Sequence, residues 1–288
     1  MRRLKVLAAV AVMIALGLGM AAVRPGAAQP KPSDEKSPPE TAASASEAIH
    51  MADIPYAPAN KITIERRGQI VLIGINRPEI DNRLDPEATE SLAKAYDPSL
   101  RAAVLFGHGE RFSRGIDVDA FNAFAKSGRK IMNGTGFIDP MQRSKPRLTK
   151  PLVVAVHGDT WNMADELFLA ADIRVASEDT DFGQDENTHG RFPGGGGTVR
   201  FPRQAGWGNA MRYILTGDHW SAKEAYRIGT VQELAPNAEA ALNKAIEIAM
   251  KIAACGPLGI KASLASAHMA VDDSEPAALA GLQAQYLA

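Results

Sequence analysis

Two runs of uninterrupted apolar residues, 102–106 (AAVLF) and 152–156 (LVVAV), constrain the fold of this chain more than any other feature. A strand with one wet face alternates apolar and polar residues, so a run without alternation must be covered on both faces, as in a parallel sheet flanked by helices. Each run leads into a glycine-bearing turn, GHGERFSRG after the first and HGDTW after the second. After the second turn the sequence predicts a helix over 161–171 and a further strand over 173–176. Upstream, KITIERRGQIVLIGIN predicts strands at 61–65 and 69–76, turned at Arg67-Gly68. A helix over 86–96 follows, with Asp85 as its cap and Pro86 in its first position. Strand, turn and helix recur in this order, which specifies an α/β fold of repeated ββα-like units over 61–235. The later sequence predicts helices at 207–215, 222–228 and 238–253, the last capped by Asn237 with Leu242, Ile246 and Ala249 on one face. The region 236–288 reads as a shortened helical segment whose end, LAGLQAQYLA, carries no stop signal.

The formal net charge of −1, with Lys and Arg scattered along the chain, gives no electrostatic basis for nucleic-acid binding. The single cysteine, Cys255, excludes an internal disulfide and a cysteine-built metal cage. Its surroundings, IAACGPLG, predict an inert buried thiol. None of the six histidines falls into a metal-binding pattern, so no metal is expected. Trp161, Trp207 and Trp220 lack interleaved basic residues and read as core or rim packing. Residues 1–28 have a basic start, an apolar run and small residues at their end, the pattern of an export signal to the periplasm. The same run has the minimum length of a membrane anchor, which is the only membrane association expected. Residues 29–60 are rich in Pro, Ser, Ala and Glu and predict a disordered tether. Within that stretch Met51 offers an alternative, cytoplasmic start.

The stretch NMADELFLAAD sets two acids, Asp165 and Glu166, at the head of a helix that is apolar on almost every side. Burying a carboxylate costs several kcal/mol unless it is paired, hydrogen-bonded or protonated, so an acid here needs a partner or a task. A second acid, Glu186, lies 20 residues further on, across the predicted strand. If both face one dry pocket they titrate as a pair, one holding a proton while the other stays ionised, and can serve as acid and base. Alternatively Glu166 caps its helix and Glu186 is a solvated loop residue. The turn FSRGIDVD and the entry to the 161–171 helix both present main-chain N–H groups, which form an oxyanion hole if they converge and plain tight turns if they do not. The run Gly194 to Gly197 lacks the Gly-Lys-Ser/Thr ending of a phosphate loop and reads as a turn before a helix, with His189 beside it as a surface residue.

Taken in order, INRPEIDNRL, AAVLFGHGERFSRGIDVDAF, KPLVVAVHGDTWNMADELFLAADIRVAS and the stretch from TDFGQDENTHG to GTVQEL resemble the crotonase, or enoyl-CoA hydratase and isomerase, superfamily. The resemblance implies a crotonase-like spiral of ββα units and a homotrimer or hexamer. It implies a lyase that hydrates an α,β-unsaturated acyl-CoA thioester, with coenzyme A as part of the substrate and no separate cofactor. It places Glu166 and Glu186 at the two catalytic glutamate positions, the first activating water and the second supplying the α-proton. It assigns the oxyanion hole to the N–H groups of Ile116 and Met163, and substrate contacts to Gly115 and Asp117. An isomerase or C–C hydrolase of the same fold, and an exported non-catalytic binding protein, are the alternative readings. The chain departs from the family where a glycine run is usual: Asn162, Met163 and Ala164 stand there, so a glycine-like backbone has to be reached with a Met side chain turned away.

Overall fold

In a computed structural model of the chain, residues 50–287 are described except for 52–53, 55–58, 97–98 and 132–135. The predicted export signal and almost all of the predicted tether lie outside the described residues. The first two strands, β1 (Ile62–Arg67) and β2 (Ile70–Ile75), form an antiparallel hairpin across a turn at Gly68, whose φ of 57° suits glycine. Next to β2 run β3 (Ala102–Gly107), β4 (Leu152–Val156), β6 (Ile173–Ser177) and β9 (Glu233–Ala235), all parallel, giving the order β1-β2-β3-β4-β6-β9. A second, three-stranded sheet joins β5 (Asp159–Trp161), β7 (Asp181–Gly183) and β8 (Trp220–Ser221).

Every residue of β2, β3 and β4 is buried, the reason their sequences do not alternate. One face of the sheet presents Leu72, Val104, Phe106, Val153 and Val175 to Leu242, Ala245, Ile246 and Ala249 of α7 (Ala238–Ala254). The other presents Ile73, Ile75, Leu105, Val154 and Val156 to a larger core containing Leu92 of α1 (Pro86–Ala95) and Leu167 and Phe168 of α3 (Met163–Ala170). Each buried Val, Leu, Ile or Phe among them contributes about 1.5–3 kcal/mol by leaving water. Asp85 caps α1 as expected, accepting from Ala88 N at 2.7 Å.

The repeating unit is visible in the connections. Within β4–β5–α3 and β6–β7–α4, where α4 is Gly197–Ala205, the first strand joins the large sheet and the second the small one. After β3 the second strand shrinks to a single bridge, Ser113 to Thr160, before α2 (Val118–Lys126). Three expectations change. Trp161 belongs to β5 rather than to the helix, because Asn162 turns at a φ of 55° and α3 starts only at Met163. Cys255 is exposed: it ends α7 on the outside, its thiol 3.3 Å from Lys251 O. Trp207 is largely exposed, whereas Trp220 lies in the core. Between α4 and α7 lie α5 (Trp207–Ile214) and α6 (Ala222–Arg227), and the C-terminal region carries two more helices, α8 (Pro257–Asp272) and α9 (Glu275–Leu287), packed on each other.

Candidate active site

The site forms where the chain leaves β3 and β4, at the carboxyl ends of two neighbouring parallel strands, the place where open parallel sheets bind ligands. The two exit segments run side by side. Ser113 N donates to Asp159 O at 3.0 Å, Trp161 N returns to Ser113 O at 3.1 Å, and Arg114 Nε reaches Asp159 Oδ2 at 2.7 Å while its guanidinium covers the Trp161 ring. Behind them the fully buried Asn82 ties the first segment down, its Nδ2 donating to His108 O and Arg111 O. These contacts bring Gly115 against the turn at Asn162. A β-carbon on Gly115 would stand 3.0 Å from Trp161 O and 3.4 Å from Met163 N, and its φ of 89° also demands glycine.

The main-chain N–H groups of Ile116 and Met163 therefore lie on adjacent segments, and among the described residues neither donates to an acceptor. Both residues line a cavity of about 780 Å³. Glu166 and Glu186 line the same cavity, 3% and 8% exposed, so neither is the solvated acid of the plainer reading. Asp117 also borders it, but its carboxylate caps α2 by accepting from Ala120 N at 3.1 Å. Gly115 acts from behind, through the close approach it permits. His189 sits exposed at the rim, 3.7 Å from Asp185.

The two glutamates have different surroundings. Glu166 Oε1 accepts from Gly195 N at 2.6 Å and from Gly197 N at 3.0 Å, so the glycine run that resembled a phosphate loop cradles a carboxylate of its own chain. Burial raises the Glu166 pKa, while those two N–H groups and the charges of Arg143 and Arg200 pull it back. Glu186 opens a short 3-10 turn, and its Oε2 is buried with no partner among the described residues. Burial pushes its pKa up to about 7; its own N–H opposes this, and the nearby Glu166 carboxylate adds to it. One acid is thus steadied as a carboxylate by donors while the other is inclined to keep its proton.

Gly195 is required by this arrangement, since a β-carbon there would overlap Glu166 Oε2 and Met141 Sδ. Gly195→Ala is expected to cost about 1–3 kcal/mol, measured by urea unfolding, because turn and carboxylate cannot both stay in place. An unchanged midpoint would show that the turn yields without cost.

Asn162, at the departure from the glycine run, holds a φ of 55° and ψ of −121°, a conformation that strains any residue with a β-carbon by about 1–3 kcal/mol. Its neighbours enforce it. Asn162 N donates to Gly183 O at 2.7 Å, its carbonyl accepts from Glu166 N at 3.0 Å, and its Oδ1 accepts from Asp185 N at 3.1 Å. Met163 is 6% exposed and packs in the larger core while also bordering the cavity. Asn162→Ala keeps the strain and loses the side-chain bond, so thermal unfolding should report a loss of about 1–2 kcal/mol. Asn162→Gly, which relieves the strain, should lie within about 1 kcal/mol of the parent. Equal losses in the two variants would refute this account.

Several contributors could not be read from the sequence. Gln184, Arg143, Arg200 and the donors Gly195 and Gly197 are positioned by segments distant in the chain, and Asp165 proves as buried as Glu166. Only Asp165 announced itself, by its place on an apolar helix.

Comparison with known proteins agrees with this architecture. Residues 65–286 match the family model described as enoyl-CoA hydratase/isomerase. The chain is 36% identical over 210 residues to the enoyl-CoA hydratase EchA19 of Mycobacterium tuberculosis, covering 70% of this chain and 78% of that protein. It is 33% identical to the short-chain-enoyl-CoA hydratase of Clostridium acetobutylicum, covering 71% and 79% of the two chains. Among solved structures, a probable enoyl-CoA hydratase/isomerase from Mycobacterium abscessus superposes with a TM-score of 0.75 at 43% identity, covering 79% of this chain and 89% of the other. With the family model spanning most of the folded part and these relatives matched along most of their length, the chain belongs to the enoyl-CoA hydratase/isomerase family of the crotonase superfamily.

Proposed function

We propose that the protein is a lyase that adds water across the double bond of an α,β-unsaturated acyl thioester of coenzyme A, and removes it in the reverse direction. The observation that carries this reading is a cavity lined by two buried glutamates and by Ile116 and Met163, whose main-chain N–H groups donate to nothing among the described residues. The named activities of the mycobacterial and clostridial relatives support it.

In this mechanism the thioester oxygen accepts from the Ile116 and Met163 N–H groups, which stabilise the negative charge it gains by about 3 kcal/mol per donor. Glu166, ionised and held by Gly195 and Gly197, takes a proton from water as the water oxygen bonds to the β-carbon. The electron pair of the double bond moves onto the α-carbon and carbonyl, and the α-carbon takes the proton of Glu186. In this step the O–H bonds of water and of Glu186 and the C–C π bond are broken, and a C–O bond, a C–H bond and the O–H bond of Glu166 are formed. A proton passing from Glu166 back to Glu186 resets the pair.

The test is direct. Purified chain incubated with a 2-enoyl thioester of coenzyme A should give the 3-hydroxyacyl thioester, seen as loss of the conjugated absorbance and one solvent hydrogen at the α-carbon. Conversion of a 3-enoyl into a 2-enoyl thioester without hydration would favour an isomerase, and binding without turnover a non-catalytic protein. Compartment is decided separately by cell fractionation with N-terminal sequencing. A mature chain starting at Gln29 in the periplasm would remove coenzyme A thioesters as substrates, whereas one starting at Met51 in the cytoplasm would keep them.

A further inference from the structure

The acid beside Glu166 has a different place. Asp165 is 1% exposed, and its side chain turns away from the cavity toward Gln184, which is fully buried. Gln184 Nε2 donates to Asp165 Oδ2 at 2.9 Å and also to the carbonyl of Asn162 at 3.2 Å. That carbonyl belongs to the peptide unit whose N–H is the Met163 donor. A trans peptide is planar, with its C=O and N–H pointing in opposite directions, so whatever fixes the Asn162 oxygen also fixes the aim of the Met163 N–H. We propose that Asp165 and Gln184 act as a positioning pair: Asp165 clamps the Gln184 carboxamide, and the carboxamide holds the Asn162–Met163 peptide with its N–H directed at the thioester oxygen. The inference rests on the hydratase reading and gives it a further component.

The atoms left over in the pair say how the clamp closes. Asp165 Oδ1 and Gln184 Oε1 are both buried without a partner among the described residues. While Asp165 is ionised both atoms are acceptors and neither can satisfy the other. A proton on Oδ1 would turn it into a donor able to close an acid–amide ring, with Nε2–H on Oδ2 and Oδ1–H on Oε1. Burial pushes the Asp165 carboxyl well above the usual range; the Gln184 bond opposes this, Glu166 and Glu186 add to it, and the Arg174 charge opposes it. Arg174 makes no hydrogen bond to Asp165 and spends its Nε and Nη1 on the carbonyls of Thr230 and Ala171. Space for the carboxamide depends on Gly197, where a β-carbon would stand 2.9 Å from Gln184 Oε1. The same Gly197 donates to Glu166, so one helix start serves both the carboxylate and the clamp.

The experiment compares Asp165→Asn, Asp165→Ala and Gln184→Leu in the full chain. Asparagine can close an amide–amide ring of the same shape, so kcat should stay within about threefold of the parent. Asp165→Ala and Gln184→Leu loosen or remove the side-chain bond on the Asn162 carbonyl and leave it to the Glu166 N–H alone, so kcat should fall by about 10- to 100-fold with KM within about threefold, as for a donor misplaced in the transition state. The double variant should be no worse than the poorer single one, because both act through one peptide. A second readout is the red shift in absorbance of a bound aryl-conjugated enoyl thioester of coenzyme A, which reports polarisation of its carbonyl. It should persist in Asp165→Asn and shrink in the other two. A residue that served folding alone would change the melting temperature and leave the red shift and the kcat of folded protein intact. Such a result, or an Asp165→Asn as impaired as Asp165→Ala, overturns the clamp. If Asp165→Ala does not fold, Gln184→Leu and Asp165→Asn carry the test by the same readouts. A parent chain that shows neither turnover nor red shift defeats the hydratase reading and the clamp with it. A parent that shows both, with unaltered Gln184→Leu, defeats the clamp alone.

Discussion

Glu166→Gln and Glu186→Gln, made separately, should each lower kcat for thioester hydration by about 10²–10⁴-fold, the range lost when a positioned acid or base is removed. Glutamine keeps the size of each side chain, and at 166 its carbonyl oxygen can still accept from Gly195 and Gly197, so the fold and the cavity should survive. What disappears is the proton traffic. On the proposed mechanism, water without the carboxylate at 166 is bound but not activated, and without the acid at 186 the α-carbon has no proton to take. An isomerase would depend chiefly on Glu186, and a binding protein on neither. The parent's pH profile follows from the same pair. The Glu186 acid must be protonated, and its pKa is raised to about 7, so hydration should weaken as pH rises through that value. On the acid side the rate should fall as Glu166, also raised by burial, takes up the proton it must lack to act as base. These limbs belong to the coupled pair rather than to either residue alone. Steady-state rates of the three proteins between about pH 5 and pH 9 suffice, and full activity in both glutamine variants would remove the proposed chemistry.

A second large effect concerns stability, and its sign opposes that of activity. The pKa of Glu186 is about 7 in the folded chain against a reference value of 4.5, so the folded state binds this proton more tightly than the unfolded state. The stabilisation is therefore fully present below about pH 4.5 and lost as pH rises through about 7. Beyond that point the folded chain carries an ionised, poorly solvated carboxylate, which costs up to about 3 kcal/mol. Glutamine cannot ionise. Glu186→Gln should consequently unfold at higher urea than the parent at about pH 8, by up to about 3 kcal/mol, and nearly together with it at about pH 5. A variant that is inactive yet more stable is what an acid held ready for proton transfer predicts. Parallel changes at both pH values would mean that the residue matters for packing and not for its proton.

The parts legible in the sequence were those controlled by local patterns. The unbroken runs at 102–106 and 152–156 marked buried parallel strands because a strand covered on both faces has no reason to alternate. Asp85 and Asn237 marked helix starts because their side chains accept from main-chain donors three residues on. Asp165 and Glu166 stood out because charge on an apolar helix requires explanation. The second sheet was not legible, since two- and three-residue strands carry too little periodicity to register. The sequence extends the helix back to Trp161 because nothing in an Asn residue announces a φ of 55°; that turn is imposed by Gly183, Asp185 and Glu166. The exposure of Cys255 was likewise hidden, because small apolar neighbours do not reveal which side of a helix end faces out. Glu166's partners come from a glycine run 29 and 31 residues away, and contacts of that range are written in the tertiary fold.

The turn at Asn162 also limits the order in which this chain can change over generations. Its side-chain oxygen draws on the amide hydrogen of residue 185, and every amino acid except proline supplies one. A lineage that introduced proline at 185 first would pass through an intermediate with a stranded carboxamide on an already strained backbone. Replacing Asn162 by glycine first removes both the strain and the need for that hydrogen, and the second exchange then becomes accessible. Two positions 23 residues apart are in this way coupled through a single bond, and only one of the two mutational orders between the states avoids a valley.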